Sequence, residues 1–240
     1  MGQKSSPIIL RLSLLRNWSS NWYAKDKKVP LLINEDYLIR KFINNYYPLG
    51  TIARVEIQRL KKDNEENIEI FLHTPKIGVV IGADNKEKNK LTQEIYKLIK
   101  KNITIHVIEV KNPEKVASLI AQNIASQLQQ RAFFRAVKKM YIQKALKAGV
   151  KGIKISLKGR LSGAEIARTE TTIKGILPLG TFRSKIDYAY IAAKTIHGVL
   201  GVKVWVCDGN YSPKKEIRES SKQISHENVS NVKRGNKVNQ

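Results

Sequence analysis

The sequence predicts an α+β protein with two folded domains, and three features predict it. Residues 52–58 and 68–72 alternate apolar and polar side chains, which is the spacing of a half-buried strand. Residues 37–43 and 116–128 instead place apolar side chains at helical spacing. Residues 153–157 then return to a period of two. A chain of 240 residues that carries helices and strands in two stretches is long enough for two small domains.

The first domain is predicted to begin with a helix that has Asn34 as its N-cap and that ends at Pro48-Leu49-Gly50. The two alternating strands follow, joined by a polar hairpin loop at residues 61–66. A short apolar helix then ends at Val80-Ile81-Gly82. We expect a second helix over residues 91–99 and a closing strand over residues 103–110.

The second domain is predicted to consist of two helices packed on a small mixed sheet. Asn112 is its expected N-cap, with Pro113 in the first helical turn, and Ala148-Gly149 ends the long helical region. The predicted strands span residues 153–157, 171–176, 186–195 and 199–207. The predicted division is a basic extension, a first domain, a second domain and a disordered polar tail, over residues 1–33, 34–111, 112–211 and 212–240.

The charge of the chain predicts a polyanionic partner. The 44 Lys and Arg outnumber the 20 Asp and Glu, which gives a net charge of +24. No apolar run approaches the roughly 18–20 residues that a bilayer-spanning helix needs, so nucleic acid is favoured over membrane. The one cysteine, Cys207, allows no internal disulfide and lies in an apolar run typical of a buried small hydrophobe. The four histidines lack metal-site spacing, and we expect no metal and no cofactor.

The segment of residues 159–170 indicates a contact with that polyanion. It combines two arginines with Gly159, Ser162 and Gly163 and has almost no large apolar surface. Such a composition is typical of backbone that approaches a partner closely. Arg160 and Arg168 are the side chains expected to reach toward it.

A basic stripe is predicted on one side of a helix in the second domain, opposite an aromatic core face. Its members are Arg131, Arg135, Lys138 and Lys139, and the core face carries Phe133, Phe134, Val137 and Tyr141. The stripe would suit a wall along a nucleic-acid path, and an ordinary solvated face is the alternative. In the extension, Lys4, Arg11 and Arg16 either lie on nucleic acid or belong to a packed segment.

The order of elements in the first domain, together with Val80-Ile81-Gly82, resembles a type II KH domain. The backbone N–H groups of that family's Gly-X-X-Gly loop clamp RNA phosphates. The resemblance implies an RNA-binding loop formed by Ile81, Gly82, Ala83, Asp84, Asn85 and Lys86. Asn85 replaces the second glycine and tolerates the left-handed backbone, whereas Asp84 adds a negative charge. A structural helix–turn–helix without an RNA contact remains the alternative.

From Met1 to about Gly209, several motifs in order resemble the bacterial-type small-subunit ribosomal protein S-three family. They are Met1-Gly2-Gln3-Lys4, residues 159–170, Asp187-Tyr188 and residues 198–205. The resemblance implies a structural constituent of the small-subunit head that binds rRNA and lines the messenger RNA entry channel. It implies messenger contacts for the basic stripe, and contacts to rRNA or head proteins for Lys4, Arg11, Arg160, Arg168 and Arg183.

The family resemblance also carries expectations about partners and place. The neighbouring head proteins are expected to be S-ten and S-fourteen, and no homo-oligomer is required. The chain is expected to be ribosome-bound, in the cytoplasm or the plastid stroma, and to open structured messengers passively. In the family, two adjacent arginines and a lysine stand on the channel helix. Arg135 and Lys139 match them, and Ala136 replaces the second arginine.

Two other classes of function compete with the ribosomal one. A free KH-type RNA-binding regulator or RNA chaperone could confine its charge to the KH groove, whereas here the second domain carries as much. An enzyme such as a nuclease or a motor helicase would need a P-loop or paired metal-binding carboxylates, and the sequence contains neither. The chain is therefore not expected to be an enzyme.

Overall fold

The computed structural model describes residues 5–62, 65–82 and 85–211. Lys4, Ala83, Asp84 and the tail 212–240, predicted to be disordered, lie outside the described residues. Within unit 1, which extends from Met1 to Gly209, the described chain forms two sheets with helices packed on each.

The first sheet is mixed and has the order β1-β2-β3-β4. Strands β2 and β3 are antiparallel, and the pairs β1/β2 and β3/β4 are parallel. The register aligns Ile57, Ile70 and Ile105 on one face, and all three are buried because helices cover that face. The elements are β1 Ser20–Asn21, α1 Val29–Tyr46, β2 Arg54–Lys62, β3 Glu65–Thr74, α2 Ile77–Ile81, α3 Lys86–Ile99 and β4 Ile103–Glu109.

The prediction of Asn34 as the N-cap of α1 was wrong, because the helix begins at Val29, six residues before the predicted first helical residue. Lys28 is the N-cap residue and Pro30 lies in the first turn. Proline suits that turn because its φ angle is already helical and the missing N–H has no partner there in any case. Leu32, in the added turn, is buried. The two-residue strand β1 was not predicted, since a strand that short has no periodicity of its own.

The second sheet has the order β6-β5-β8-β7, with β5 antiparallel to both of its neighbours. Its apolar face includes Ile155 and Leu157 of β5 and Val204 of β8, which pack against Ile124 of α4. Cys207 is buried at the same sheet, as predicted. The elements are α4 Ala117–Gln129, α5 Phe134–Lys147, β5 Gly152–Gly159, β6 Arg168–Gly175, β7 Ser184–Thr195 and β8 Gly198–Asn210.

A chain reversal separates α4 from α5 and determines where the basic residues lie. The N–H of Arg131 donates to the carbonyl of Leu128 at 3.1 Å, and the N–H of Ala132 donates to that of Gln127 at 3.0 Å. This pair of bonds, with Arg131 at a φ of +62°, is a Schellman motif, in which glycine usually takes the left-handed position. Because arginine occupies that position, the sequence contains no helix-stop signal here.

The first turns of α4 are hydrogen-bonded to the segment that precedes β2. The Gln122 amide accepts from the N–H of Gly50 at 2.8 Å and donates to the carbonyl of Ile52 at 3.0 Å. Gly50 has a φ of +89°, and a Cβ there would lie 2.5 Å from Oδ1 of Asn123. These contacts hold the two halves of the unit together, and the domain boundary at residues 111–112 stays a prediction.

Candidate nucleic-acid interface

The residues at the two ends of the loop between α2 and α3 are described by the structure. Gly82 has a φ of +69°, and a Cβ there would lie 2.8 Å from Cγ of Glu87. Asn85 occupies the left-handed region at φ 60° and ψ 16°, as expected of an asparagine in place of glycine. Lys86 is exposed and Ile81 is half-buried. Asn85 therefore has the left-handed backbone without being a glycine.

The first turn of α3 places a carboxylate beside this loop. Glu87 accepts hydrogen bonds from Nζ of Lys90 at 2.9 Å and from the hydroxyl of Tyr46 at 3.1 Å. The Lys90 bond, followed by the Tyr46 bond, lowers the pKa of Glu87. Glu87 is therefore ionised at neutral pH, and its charge is paired with that of Lys90.

A cluster of charges joins α5 to β6, and we call its members Phe134, Arg135, Lys138, Arg168 and Glu170 the Glu170 cluster. Nζ of Lys138 donates to Oε2 of Glu170 at 2.8 Å. Nη2 of Arg135 and Nη2 of Arg168 lie 3.8 and 3.9 Å from Oε1 of the same carboxylate. These three cations hold the pKa of Glu170 below its ordinary value, with the Lys138 hydrogen bond as the largest cause.

The aromatic ring of Phe134 lies beneath the cations of this cluster. Arg135, Lys138 and Arg168 lie 5.6, 5.4 and 5.9 Å from its centroid. Phe134 itself is buried, so it joins the charge cluster to the core of the second sheet. Cations at these distances from a ring face are attracted to its quadrupole.

The exposure of the cluster corrects part of the predicted stripe. Lys138 has only 7% of its side chain exposed, whereas Arg135 and Arg168 are 64% and 51% exposed. Lys138 is therefore an internal ion-pair partner rather than a member of an exposed stripe. Lys139, on the same helix, is exposed as predicted. Phe133 was assigned to the core face, but it is 57% exposed because it precedes the first residue of α5.

Arg131 does not share a helical side with Arg135, because it lies in the reversal between the two helices. It lines a groove of about 300 Å³ together with Arg160. The Arg160 guanidinium donates to the carbonyls of Ala164 at 2.9 Å and His197 at 3.5 Å. The groove combines these two arginines with apolar side chains, among them Phe133 and Ile196.

Arg11, predicted to contact RNA, is instead buried, with 2% of the residue exposed. Its guanidinium donates to the carbonyls of Ser184 at 2.7 Å, Leu179 and Thr181 at 2.9 Å, and Pro7 at 3.0 Å. This burial lowers its pKa. The segment around Arg11 is thus packed against residues 179–184, and those carbonyls occupy the donors that would otherwise face a phosphate.

Two further predicted residues have simpler surroundings. Arg16 donates to Oδ1 of Asp187 at 2.8 Å, and the other oxygen of that carboxylate accepts from the N–H of Ala117. Arg183 is exposed beside the buried Ser184.

Phe134 and Glu170 were not predicted as site residues. The available signal for Glu170 was its position two residues after Arg168 on a strand, which places both side chains on one face.

The chain is similar to known proteins along nearly its whole length. Residues 124–206 match the model of the ribosomal protein S3 C-terminal domain, and residues 37–115 match that of the KH domain. Small ribosomal subunit protein uS3 of Ziziphus jujuba witches'-broom phytoplasma is 54% identical over 99% of this chain and 94% of its own. Its counterpart in Phytoplasma sp. (strain STRAWB2) is 51% identical over 92% of this chain and 88% of its own.

The chain belongs to the ribosomal protein uS3 family. It is a structural, non-enzymatic and ribosome-bound component of the small subunit, and it binds rRNA. Among the described residues, no helix is long and apolar enough to cross a membrane. The same residues contain no group of three or more His, Cys, Asp or Glu side chains that could hold a metal ion.

Proposed function

We propose that this uS3 chain lies in the head of the small subunit, lines the channel through which messenger RNA enters, and helps to open structured messengers. The observation that carries the proposal is the pair of exposed arginines, Arg135 and Arg168. They approach the same carboxylate from α5 and β6, so both guanidinium groups face one region of the surface. The net charge of +24 attracts the RNA backbone to that surface.

Strand opening on this surface is passive. A hairpin opens and closes thermally at its base, and exposed cations favour the open form by binding the phosphates of the separated strand. Each phosphate that is neutralised on a single strand releases about 0.7 counterion, which provides the free energy of capture. Arg135 and Lys139, four residues apart on α5, are the side chains best spaced to follow one strand.

Ala136 carries no charge, and Arg168 supplies a second exposed cation beside Arg135. The family has an arginine at that helical position, and Lys138 would be the nearest replacement in sequence. Lys138 is buried against Glu170, however, so its charge is already neutralised. Arg168 is half-exposed and shares Oε1 of Glu170 with Arg135, which keeps it beside the helix.

The remaining contacts in the proposal involve rRNA and the neighbouring proteins of the head. The KH loop would contact RNA through Ile81, Gly82, Asn85 and Lys86, and its left-handed Asn85 supports a loop of the required shape. The groove that contains Arg131 and Arg160, and the exposed Arg183, would contact rRNA or the head proteins S-ten and S-fourteen.

Reconstituted ribosomes test the channel role. The double variant Arg135→Ala, Lys139→Ala is expected to slow translation through a stable hairpin several-fold and to leave an unstructured messenger nearly unaffected. Lys144→Ala with Lys147→Ala is the matched control, because it removes two exposed lysines from the end of the same helix. Equal slowing on both messengers would contradict the channel role and would indicate a general assembly defect instead.

A further inference from the structure

Glu170 lies where a charged residue is costly, at the margin of the second core. In the register of the sheet it is opposite Leu157, which is fully buried, and Arg168 is opposite Gly159. Both side chains therefore lie on the face of β6 that continues the apolar face of β5. Strand β6 is at the edge of the sheet, so these positions lie between the core and solvent.

The three cations make unequal contacts with Glu170. Lys138 forms a hydrogen bond of 2.8 Å to Oε2 and is almost fully buried. Arg135 and Arg168, at 3.8 and 3.9 Å, are within ion-pair range of Oε1 but beyond hydrogen-bond length. The carboxylate thus accepts a hydrogen bond from Lys138. Arg135 and Arg168 keep guanidinium N–H groups that are available to another acceptor.

We propose that Arg135 and Arg168 form one binding site for an RNA backbone phosphate, and that Glu170 between them is an internal counter-ion that keeps this site weak. A phosphate has the oxygen acceptors that two guanidinium groups require. The carboxylate beside them repels it, since two like charges a few ångströms apart near a surface interact unfavourably. Weak binding suits a strand that must move along the site, and in this respect the inference rests on the proposed function.

The main competing role for Glu170 is simply to neutralise the buried Lys138. Removing one partner of a buried pair leaves an uncompensated charge, so Glu170→Gln alone would also destabilise the fold. The double variant Lys138→Met, Glu170→Gln removes both partners and leaves the net charge of the cluster unchanged. It therefore separates the effect of the carboxylate on the arginines from its effect on Lys138.

The test is binding of the full-length chain to a single-stranded oligouridylate across a series of salt concentrations. We expect Lys138→Met, Glu170→Gln to bind about two- to threefold more tightly than the wild type, because the lost carboxylate faces the two arginines whereas the lost lysine is buried against its other oxygen, farther from the phosphate. Thermal melting checks that this variant folds. Weaker or unchanged binding by the folded double variant would overturn the counter-ion role.

The shared phosphate is tested by a double-mutant cycle on the two arginines. Arg135→Ala and Arg168→Ala should each weaken binding, and the combined variant should lose less than the product of the two factors, because both side chains contact one phosphate. Fully multiplicative losses, or no loss at all, would overturn the shared site. If the combined loss is smaller than the product and Arg135→Ala, Lys139→Ala translates hairpin messengers normally, the phosphate site is supported and the channel role is contradicted.

Discussion

Two arginine sites in this chain, one at Arg11 and the other at Arg135 and Arg168, hold the same side chain in opposite surroundings. Arg11 is buried, and backbone carbonyls accept its hydrogen bonds. Arg135 and Arg168 are exposed, and the Glu170 carboxylate lies beyond hydrogen-bond length from both. Because arginine carries five N–H donors in a rigid fork, the acceptors around it decide whether it stabilises the fold or binds a ligand.

The largest expected effect is on folding at the buried site. Arg11→Met leaves at least four backbone carbonyls without their donor, and we expect it to lower the free energy of unfolding by about 2–5 kcal/mol. Arg168→Met, on the exposed face, should change it by less than about 0.5 kcal/mol. Urea denaturation of the two variants makes the comparison, and similar losses in both would contradict it.

Tyr47 extends the comparison of buried and exposed polar groups. It is buried, and its hydroxyl has no hydrogen-bond partner within the described part of the chain. Burial raises its pKa to about 12. Above a pH of about 10 the unfolded chain loses this proton while the folded chain keeps it, so stability falls as the pH rises. Between pH 10 and pH 12 the contribution of Tyr47 to this loss should reach about 2–3 kcal/mol, and the loss in Tyr47→Phe should be smaller by that amount. Tyr23→Phe, at an exposed tyrosine, should retain the wild-type pH profile.

Charge reversal tests the exposed arginines in the ribosome itself. Arg160→Glu with Arg168→Glu should reduce incorporation into salt-washed small subunits by at least about tenfold, because each reversal turns an attraction for RNA into a repulsion. Lys174→Glu with Lys185→Glu is the control, since it reverses two exposed charges on the same sheet. Full recovery of the arginine variant in washed subunits would show that neither side chain is needed for assembly.

The smallest expected effect concerns the KH loop. Asn85 already has the left-handed backbone, so Asn85→Gly should change the free energy of unfolding by less than about 1 kcal/mol. Asn85→Ala should destabilise by about 1–2 kcal/mol, because a Cβ without a local hydrogen-bonding group is disfavoured at positive φ. Equal stabilities of the two variants, measured by thermal melting, would mean that the loop relaxes to another conformation.

The sequence by itself determined the family, the α+β class and most of the strands. Alternation of apolar and polar residues is a local property, and it placed β3 and β5 to within three residues at each end. The segment of residues 159–170 and the KH-like loop were also recognisable, because their glycines and arginines are close together in the chain.

Only the tertiary structure decided which cations remain available to RNA. The carbonyls that enclose Arg11 include those of residues 168 to 173 positions later, and Glu170 is 32 positions from Lys138. No local pattern encodes pairings at such separations, since folding alone brings these groups together. The reversal at Arg131 was also missed, because its backbone hydrogen bonds do not require a glycine. The sequence therefore shows which residues are basic, and the acceptors that the fold places around each one decide whether it is available to RNA.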